Sequence, residues 1–463
     1  MYDSMYGITP NDKGVLSDYD SKSIQNAVNK AKETGINKVI IPRLNARTNT
    51  FVWNIEETVL LPDDITIILD NCILRLADGV FCNIFRNKNT YTKLGKEAEG
   101  EQKNIQIIGM GNAVLDGGLP NGLTERTSMK DGYPSVINNN FILFTNVRNF
   151  VIKDFTVSNQ RWWAFNFYYC QEGYISNINV QAKDDIKNQD GIDLRSGCNN
   201  IVIENIRGQA GDDLIALTGF QGESEKNFRV KGKDIDIHTC TIRNIKGTSV
   251  SKAIVALRNQ DGVKLHDIII DGVSDTSFAD EKNHPYATVR IGQNAYVTDR
   301  PSVLGETYNI NVSNVHAACD TAVMLCSTLL NCSFRNIYVS GTAPCALSVN
   351  EGANIENILV DGVFYSADNY KLYAVVSKNG DIFRNDCGEK MAVFNFNNYG
   401  NEFLKAPDCS KNVIIKNVFV KKLENRPLIY ATGNADIKIK NYHVSVHDNT
   451  KLFETNDGAK IEY

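Results

Sequence analysis

The chain has 463 residues, long enough for two or three globular domains or for one long repetitive domain, and 42% of them are hydrophobic, enough to build a large core. With 49 basic against 54 acidic side chains the formal charge is −5, which excludes the strongly basic surface of a nucleic-acid or anionic-membrane binder. No apolar run approaches the roughly 18 residues of a membrane span. A soluble chain follows, with no nucleic-acid or membrane partner.

The chain opens MYDSMYGITPNDKG, with no positive n-region and no apolar h-region. The expectation is a cytoplasmic protein, or an exported one whose signal peptide is absent from the sequence. Eleven cysteines, with no CxxC pair and no histidine at zinc spacing, predict buried thiols rather than disulfides or metal ligands.

The one clear helix lies over 18–35, DYDSKSIQNAVNKAKETG, with Asp20 as N-cap, Ile24, Ala27, Val28 and Ala31 on one face and Gly35 as the stop. A strand, KVIIP, follows directly. One amphipathic helix ahead of many strands suits a cap over the open end of a strand stack.

From there the sequence repeats itself. Segments such as ITIILDNCILRL (65–76), NFVIKDFTVSN (149–159), NIVIENIRGQA (200–210), NCSFRNIYVSG (331–341) and DIKIKNYHVSV (436–446) alternate apolar and polar residues around a small or polar corner. The shortest separations are about 21 to 28 residues, within the range of solenoid repeats. A sandwich or propeller also fits short alternating strands, but few Asn-Gly or Asp-Gly pairs fall where a two-residue hairpin needs them. The recurring Asn favours a parallel β-helix, because Asn tolerates the left-handed conformation at a corner and can form a side-chain ladder from coil to coil. The reading is an all-β chain: one single-stranded parallel β-helix domain over 1–463, capped by the helix, with long loops near 119–140, 275–308 and 366–411.

Asp190, Asp212 and Asp213 stand out. Asp190 and Asp213 are 23 positions apart, one coil of such a stack, with the repeat IVIEN between them. Coils about 4.8 Å apart bring side chains from equivalent corners together. Three carboxylates that close cannot all ionise cheaply, so one is expected to keep a proton while its neighbours stay charged. That pairing of acid and base is what hydrolysis of an acetal requires. A turn-forming role beside Gly191 and Gly211 is the bland alternative.

In RWWAFNFYYC (161–170), alternation puts Trp162, Ala164, Asn166 and Tyr168 on one side and Trp163, Phe165, Phe167 and Tyr169 on the other, so half of them should be core. Tyr286 and Tyr296, which flank Arg290 in the 275–308 stretch, are expected nearer to substrate. No histidine pair has metal spacing and no glycine loop suits a phosphate, so the chemistry read here needs no cofactor or metal.

The motifs NQDGID (188–193) and GDDLIAL (211–217) together resemble the paired acidic signature of the polygalacturonase family, glycoside hydrolase family 28, and the likeness runs over about 149–292. The resemblance implies a right-handed parallel β-helix that cuts α-linked glycosidic bonds of a pectin-like poly- or oligosaccharide with inversion. By position Asp212 is then the general acid, Asp190 and Asp213 hold the attacking water, and Asn188 lies in the binding motif. Two further family motifs differ: Ser251-Lys252-Ala253 stands where that family has Gly-His-Gly, and Arg290-Ile291-Gly292 where it has Arg-Ile-Lys. Either Lys252 supplies, from another coil, the charge that meets a sugar carboxylate beside Arg290, or the sugar held there is not galacturonate. Lys252 and Arg290 also keep a β-eliminating lyase in view, and the altered motifs a non-catalytic glycan-binding β-helix.

Overall fold

The computed structural model describes residues 6–120, 136–183, 188–221, 223–250, 252–277, 284–292, 300–318, 320–350, 353–367, 375–376, 382–383, 392–396, 409–423, 426–446 and 450–463. They fall into two compact units, Met1–Gly211 with Gln221–Ile235, and Asp212–Phe220 with Asp236–Tyr463.

In the first unit the alternating segments pair side by side, all parallel and in chain order. One ladder runs Lys38–Ile41, Ile65–Asp70, Gln102–Met110, Val147–Ser158, Gln171–Gln181, Asn199–Ala210. Between its members the chain crosses to a second ladder, Val59–Leu61, Phe85–Asn87, Ile142–Thr145, Phe165–Tyr168, Ile192–Arg195. The second unit repeats the plan. Its long ladder extends from Ile237–Ser249 to Lys460–Glu462, and its short one from Ile215–Gly219 through Ala253–Asn259, Ala287–Ile291 and Thr321–Leu325 to Phe453–Thr455. The fold is a right-handed parallel β-helix. Among the described residues only the short strands Val375–Val376 and Ile382–Phe383 form an antiparallel strand pair, so a sandwich or propeller is excluded.

The inward residues of each coil make the core. In the second unit Ile215, Val255, Val289, Val323 and Leu347 are in register and fully buried. Outward rings stack in the same way: His316, Tyr338 and Phe364 lie nearly parallel, with centroids 4.5 and 5.1 Å apart.

Asparagine does more than hold one corner. In the second unit Asn244, Gly272, Asn314, Asn336, Gly362, Asn417 and Asn441 occupy one register position, and every one has positive φ. A second such column holds Asp267, Asn309, Asn331, Asn357 and Asn412. Only Gly, Asn and Asp adopt this conformation at low cost. The side chains also link the coils: Asn336 Nδ2 donates to Asn314 Oδ1 at 3.1 Å, and Asn412 Nδ2 to Asn357 Oδ1 at 2.8 Å.

The helix spans Asp20–Glu33 and buries Ile24, Ala27, Val28 and Ala31, as expected, and Gly35 follows it at φ +71°. Asp20, however, is not the N-cap. That position is Tyr19, and Asp20 lies fully buried in the first turn, where its carboxylate accepts the Asn54 N–H at 2.8 Å and pairs with Arg47 at 2.8 Å. It fastens the helix to the sheet edge instead of ending it. The 275–308 stretch, read as a loop, carries the strand Ala287–Ile291.

Cys72, Cys170, Cys198, Cys240, Cys326, Cys332 and Cys345 are buried and Cys82 and Cys409 half-buried, all as free thiols; Cys319 and Cys387 lie outside the described residues. Among the described residues no helix is long and apolar enough to cross a membrane.

The left-handed columns can be tested at Asn314, whose amide also donates to Asp271 Oδ1 at 2.6 Å. Asn314→Ala and Asn314→Gly lose the same bonds, but only Ala carries the left-handed penalty. Urea unfolding should find the Ala variant less stable than the Gly variant by about 1 kcal/mol; equal stability would show that φ costs nothing there.

Candidate active site

Asp212 and Asp213 lie in the turn that feeds the strand Ile215–Gly219. The Asp213 N–H donates to Asp212 Oδ1 at 3.1 Å, which holds the turn. Asp213 Oδ1 accepts the Ala253 N–H from the next coil at 2.9 Å, and Oδ2 accepts from the Arg290 guanidinium, another coil on, at 2.9 Å. The side chains of this pair are only 10% and 4% exposed. Sequence placed both residues in the site; the structure adds that they meet each other across two coils.

Arg290 is on the outward face of the short ladder, in register with Ala256 before it and Met324 after it. Burial by itself disfavours its charged form, but the Asp213 carboxylate, the Tyr286 side chain and weaker neighbours outweigh burial and hold the guanidinium above its ordinary pKa. A buried ion pair gains little net stability, yet removing one partner strands a charge in a dry site. The pair therefore fixes the direction of the Asp213 carboxylate.

Asp212 is half-buried. Its main-chain oxygen accepts the Ser249 hydroxyl at 2.7 Å, and Ser249 Oγ accepts the Lys252 N–H at 2.8 Å. The pairing of Ile215 with Val255 puts Lys252 at the register position of Asp212, one coil later, and the pairing of Val255 with Val289 puts Tyr286 there on the following coil. Lys252 thus lies where the sequence motif placed it. Ser249 was not foreseen, since a serine beside Thr248 and Val250 gives no signal apart from its fold.

Tyr286 departs from expectation. It is 6% exposed, packed with Ala253, Ala256, Ala287, Met324 and Cys326, and the Arg290 guanidinium lies 5.6 Å from its ring centroid. Burial pushes its phenol well above the usual range despite Arg290. Its ring braces the arginine and offers no face to a ligand. Tyr296 lies outside the described residues.

In the first unit Asp190 is 5% exposed, and its main-chain oxygen accepts the Ala164 N–H at 2.9 Å. Asn188 is half-buried in the left-handed conformation at φ +57°. Between them Gln189, wholly buried, joins three coils. Its carbonyl accepts the Gly211 N–H at 3.0 Å, its amide donates to the Gln160 carbonyl at 2.5 Å, and its Oε1 accepts the Lys183 N–H at 3.1 Å. Sequence reading passed over Gln189 because neighbouring carboxylates drew the chemical argument.

The aromatic run is more buried than alternation predicted. Trp162, Phe165, Phe167, Tyr168 and Tyr169 are all buried, and Trp163 alone of its aromatics is half-exposed. Tyr168 points outward, but Phe228 stacks on it at 4.3 Å and 13°, and Val230 and Leu143 complete that cluster. A covering segment has turned the outer face of the strand into core.

The family described as glycosyl hydrolases family 28 matches residues 83–227, a span that holds both acidic motifs, so the resemblance read from NQDGID and GDDLIAL stands. An exopolygalacturonase from Zea mays is 25% identical over 198 residues, which cover 42% of this chain and 44% of that protein. The aligned part thus spans less than half of that relative. Among solved structures, a tailspike protein of E. coli bacteriophage HK620, in complex with a pentasaccharide, matches with a TM-score of 0.58 at 11% identity, covering 98% of this chain and 76% of that one. The polygalacturonase of Erwinia carotovora matches with a TM-score of 0.46 at 13% identity, covering 99% and 96%.

Arg290→Met should cost about 3–5 kcal/mol in denaturant unfolding, because it leaves the Asp213 carboxylate buried without its partner. A loss under about 1 kcal/mol would mean that water reaches Asp213 and that the pair does not orient it.

Proposed function

We propose that this chain is a glycoside hydrolase that cleaves α-linked bonds of a pectin-like poly- or oligosaccharide with inversion at the anomeric carbon. The observation that carries the reading is the contrast between neighbouring acids: Asp213 is clamped by Ala253 N–H and Arg290, while Asp212 is half-exposed with its main-chain oxygen pinned by Ser249. Asp213 is the buried, fixed acceptor and Asp212 the half-exposed member of the pair.

The bond from Gly211 N–H to the Gln189 carbonyl supports a role for Asp190 in the same site. It ties together the residues that immediately precede Asp212 and Asp190 in the chain. In the proposed reaction Asp212 gives its proton to the glycosidic oxygen as the bond from that oxygen to the anomeric carbon breaks. Asp190 and Asp213 accept hydrogen bonds from a water molecule, which attacks the opposite face of the anomeric carbon and yields its proton to that carboxylate pair. The products are a new reducing end and a free hydroxyl on the leaving sugar.

Arg290, buried and bound to Asp213, acts here on the carboxylate rather than on substrate. Lys252, at the register position of Asp212, is the cation proposed to meet a uronate carboxylate. The raised pKa of Arg290 also weighs against the lyase alternative, since a base must first lose its proton. The substrate class follows the name of the maize relative and the matched family.

Asp212→Asn should lower release of reducing sugar from polygalacturonate at least about 10³-fold with the circular dichroism spectrum unchanged. Residual turnover within about tenfold of wild type would remove the acid role of Asp212. Lys252→Met should raise KM for galacturonate oligomers about tenfold, measured by initial rates; an unchanged KM would place the sugar carboxylate elsewhere.

A further inference from the structure

Within the first unit, registers Phe85 to Ile142, Ile142 to Phe165 and Phe165 to Ile192 define one column along the short ladder. Two residues earlier in each coil, the same column reads Asn83, Asn140, Trp163, Asp190. Trp163 therefore precedes the proposed water-binding carboxylate by a single coil, about 4.8 Å along the stack. The backbone continues the pairing to that point, since Ala164 N–H donates to the Asp190 carbonyl at 2.9 Å.

Exposure changes abruptly along this column. Asn83 and Asn140 are fully buried, and they seal the position with their own bonds: Asn83 Nδ2 donates to the Asn140 carbonyl at 2.8 Å, and Asn140 Nδ2 to the Trp163 carbonyl at 2.7 Å. Trp163 is half-exposed. Its indole is braced on one side by the Arg195 guanidinium, 4.9 Å from the ring centroid, and by the Trp162 ring at 5.6 Å and 40°. Arg195 is itself fixed by an ion pair to Glu225, with both side chains 6% exposed. A half-exposed indole, braced by a fixed guanidinium and one coil from a carboxylate, is suited to the apolar C–H face of a sugar ring. Rigid aromatics give such contact area at little entropic cost.

We infer that Trp163 is the floor of a terminal sugar subsite: the hexopyranosyl ring at a chain end stacks on the indole one ring from the bond that is cut, and the floor sealed by Asn83 and Asn140 restricts the enzyme to chain ends. This inference rests on the glycosidase reading and adds its mode of attack. The subsite reads shape rather than charge, because the nearest guanidinium is engaged with Glu225.

The test uses the full chain in four forms: wild type, Trp163→Ala, Trp163→Phe, and Asp212→Asn. Wild type on polygalacturonate should release one sugar size from the first time points, with viscosity falling far more slowly than reducing ends accumulate. Trp163→Ala should raise KM for trigalacturonate about tenfold, with the loss in KM rather than kcat, and Trp163→Phe should recover most of it. In the Asp212→Asn form, trigalacturonate should quench tryptophan fluorescence, and adding Trp163→Phe should abolish the quenching. An early spread of fragment lengths, or a KM within about twofold of wild type in Trp163→Ala, overturns the inference while leaving glycoside hydrolysis intact. Quenching at Trp163 without turnover by wild type would instead overturn the hydrolase reading and keep the subsite. Absence of both turnover and quenching removes the two together.

Discussion

Parallel register is the constraint from which the rest follows. In a ladder of stacked coils, the neighbour of any side chain is the residue at the same position one coil earlier or later, however far away it lies in sequence. Asp213 meets Ala253 and then Arg290 for this reason, and Lys252 and Tyr286 follow Asp212 in one column. The register is itself maintained at the corners, where Asn and Gly take the left-handed conformation coil after coil and the Asn amides bond along the stack. A slip of one residue would put the inward Val and Ile outside and break every such column.

The same geometry explains how the two neighbouring acids of the candidate site are held differently. Asp213 has its two oxygens directed by a backbone N–H and a guanidinium, each delivered by a different coil. Asp212 keeps a half-exposed carboxyl on a turn held from behind by Ser249. Adjacent residues of identical chemistry thereby receive different surroundings, the contrast on which the proposed roles of acid and base rest. The arginine serves this division by holding an anion in place, and Tyr286 and Met324 keep water away from it.

Much of this was legible in the sequence, though unevenly. The long ladder announced itself through alternation and a recurring Asn, because one of its faces is core and the other is open. The short ladder gave no such signal. Ile142–Thr145, Phe165–Tyr168 and Ile192–Arg195 are buried on both faces, so period-two reading failed there and split the aromatic run wrongly. Asp190, Asp212, Asp213, Lys252 and Arg290 were named from motif and spacing. The partnership of Asp213 with Arg290 was not, since 77 residues separate them and only the coil count reveals that they meet. Asp20 shows the reverse error: a good cap residue by type, it was taken by a tertiary contact with Asn54 and Arg47 that local sequence cannot display.

In the proposed reaction a water held by carboxylates on one side of the sugar, rather than a covalent bond to one of them, does the displacement. Proton NMR of the first product formed from an α-linked galacturonate oligosaccharide tests it most directly. Inversion gives the β-anomer first, which then mutarotates. Initial appearance of the α-anomer, the signature of double displacement through a glycosyl-enzyme, would contradict it.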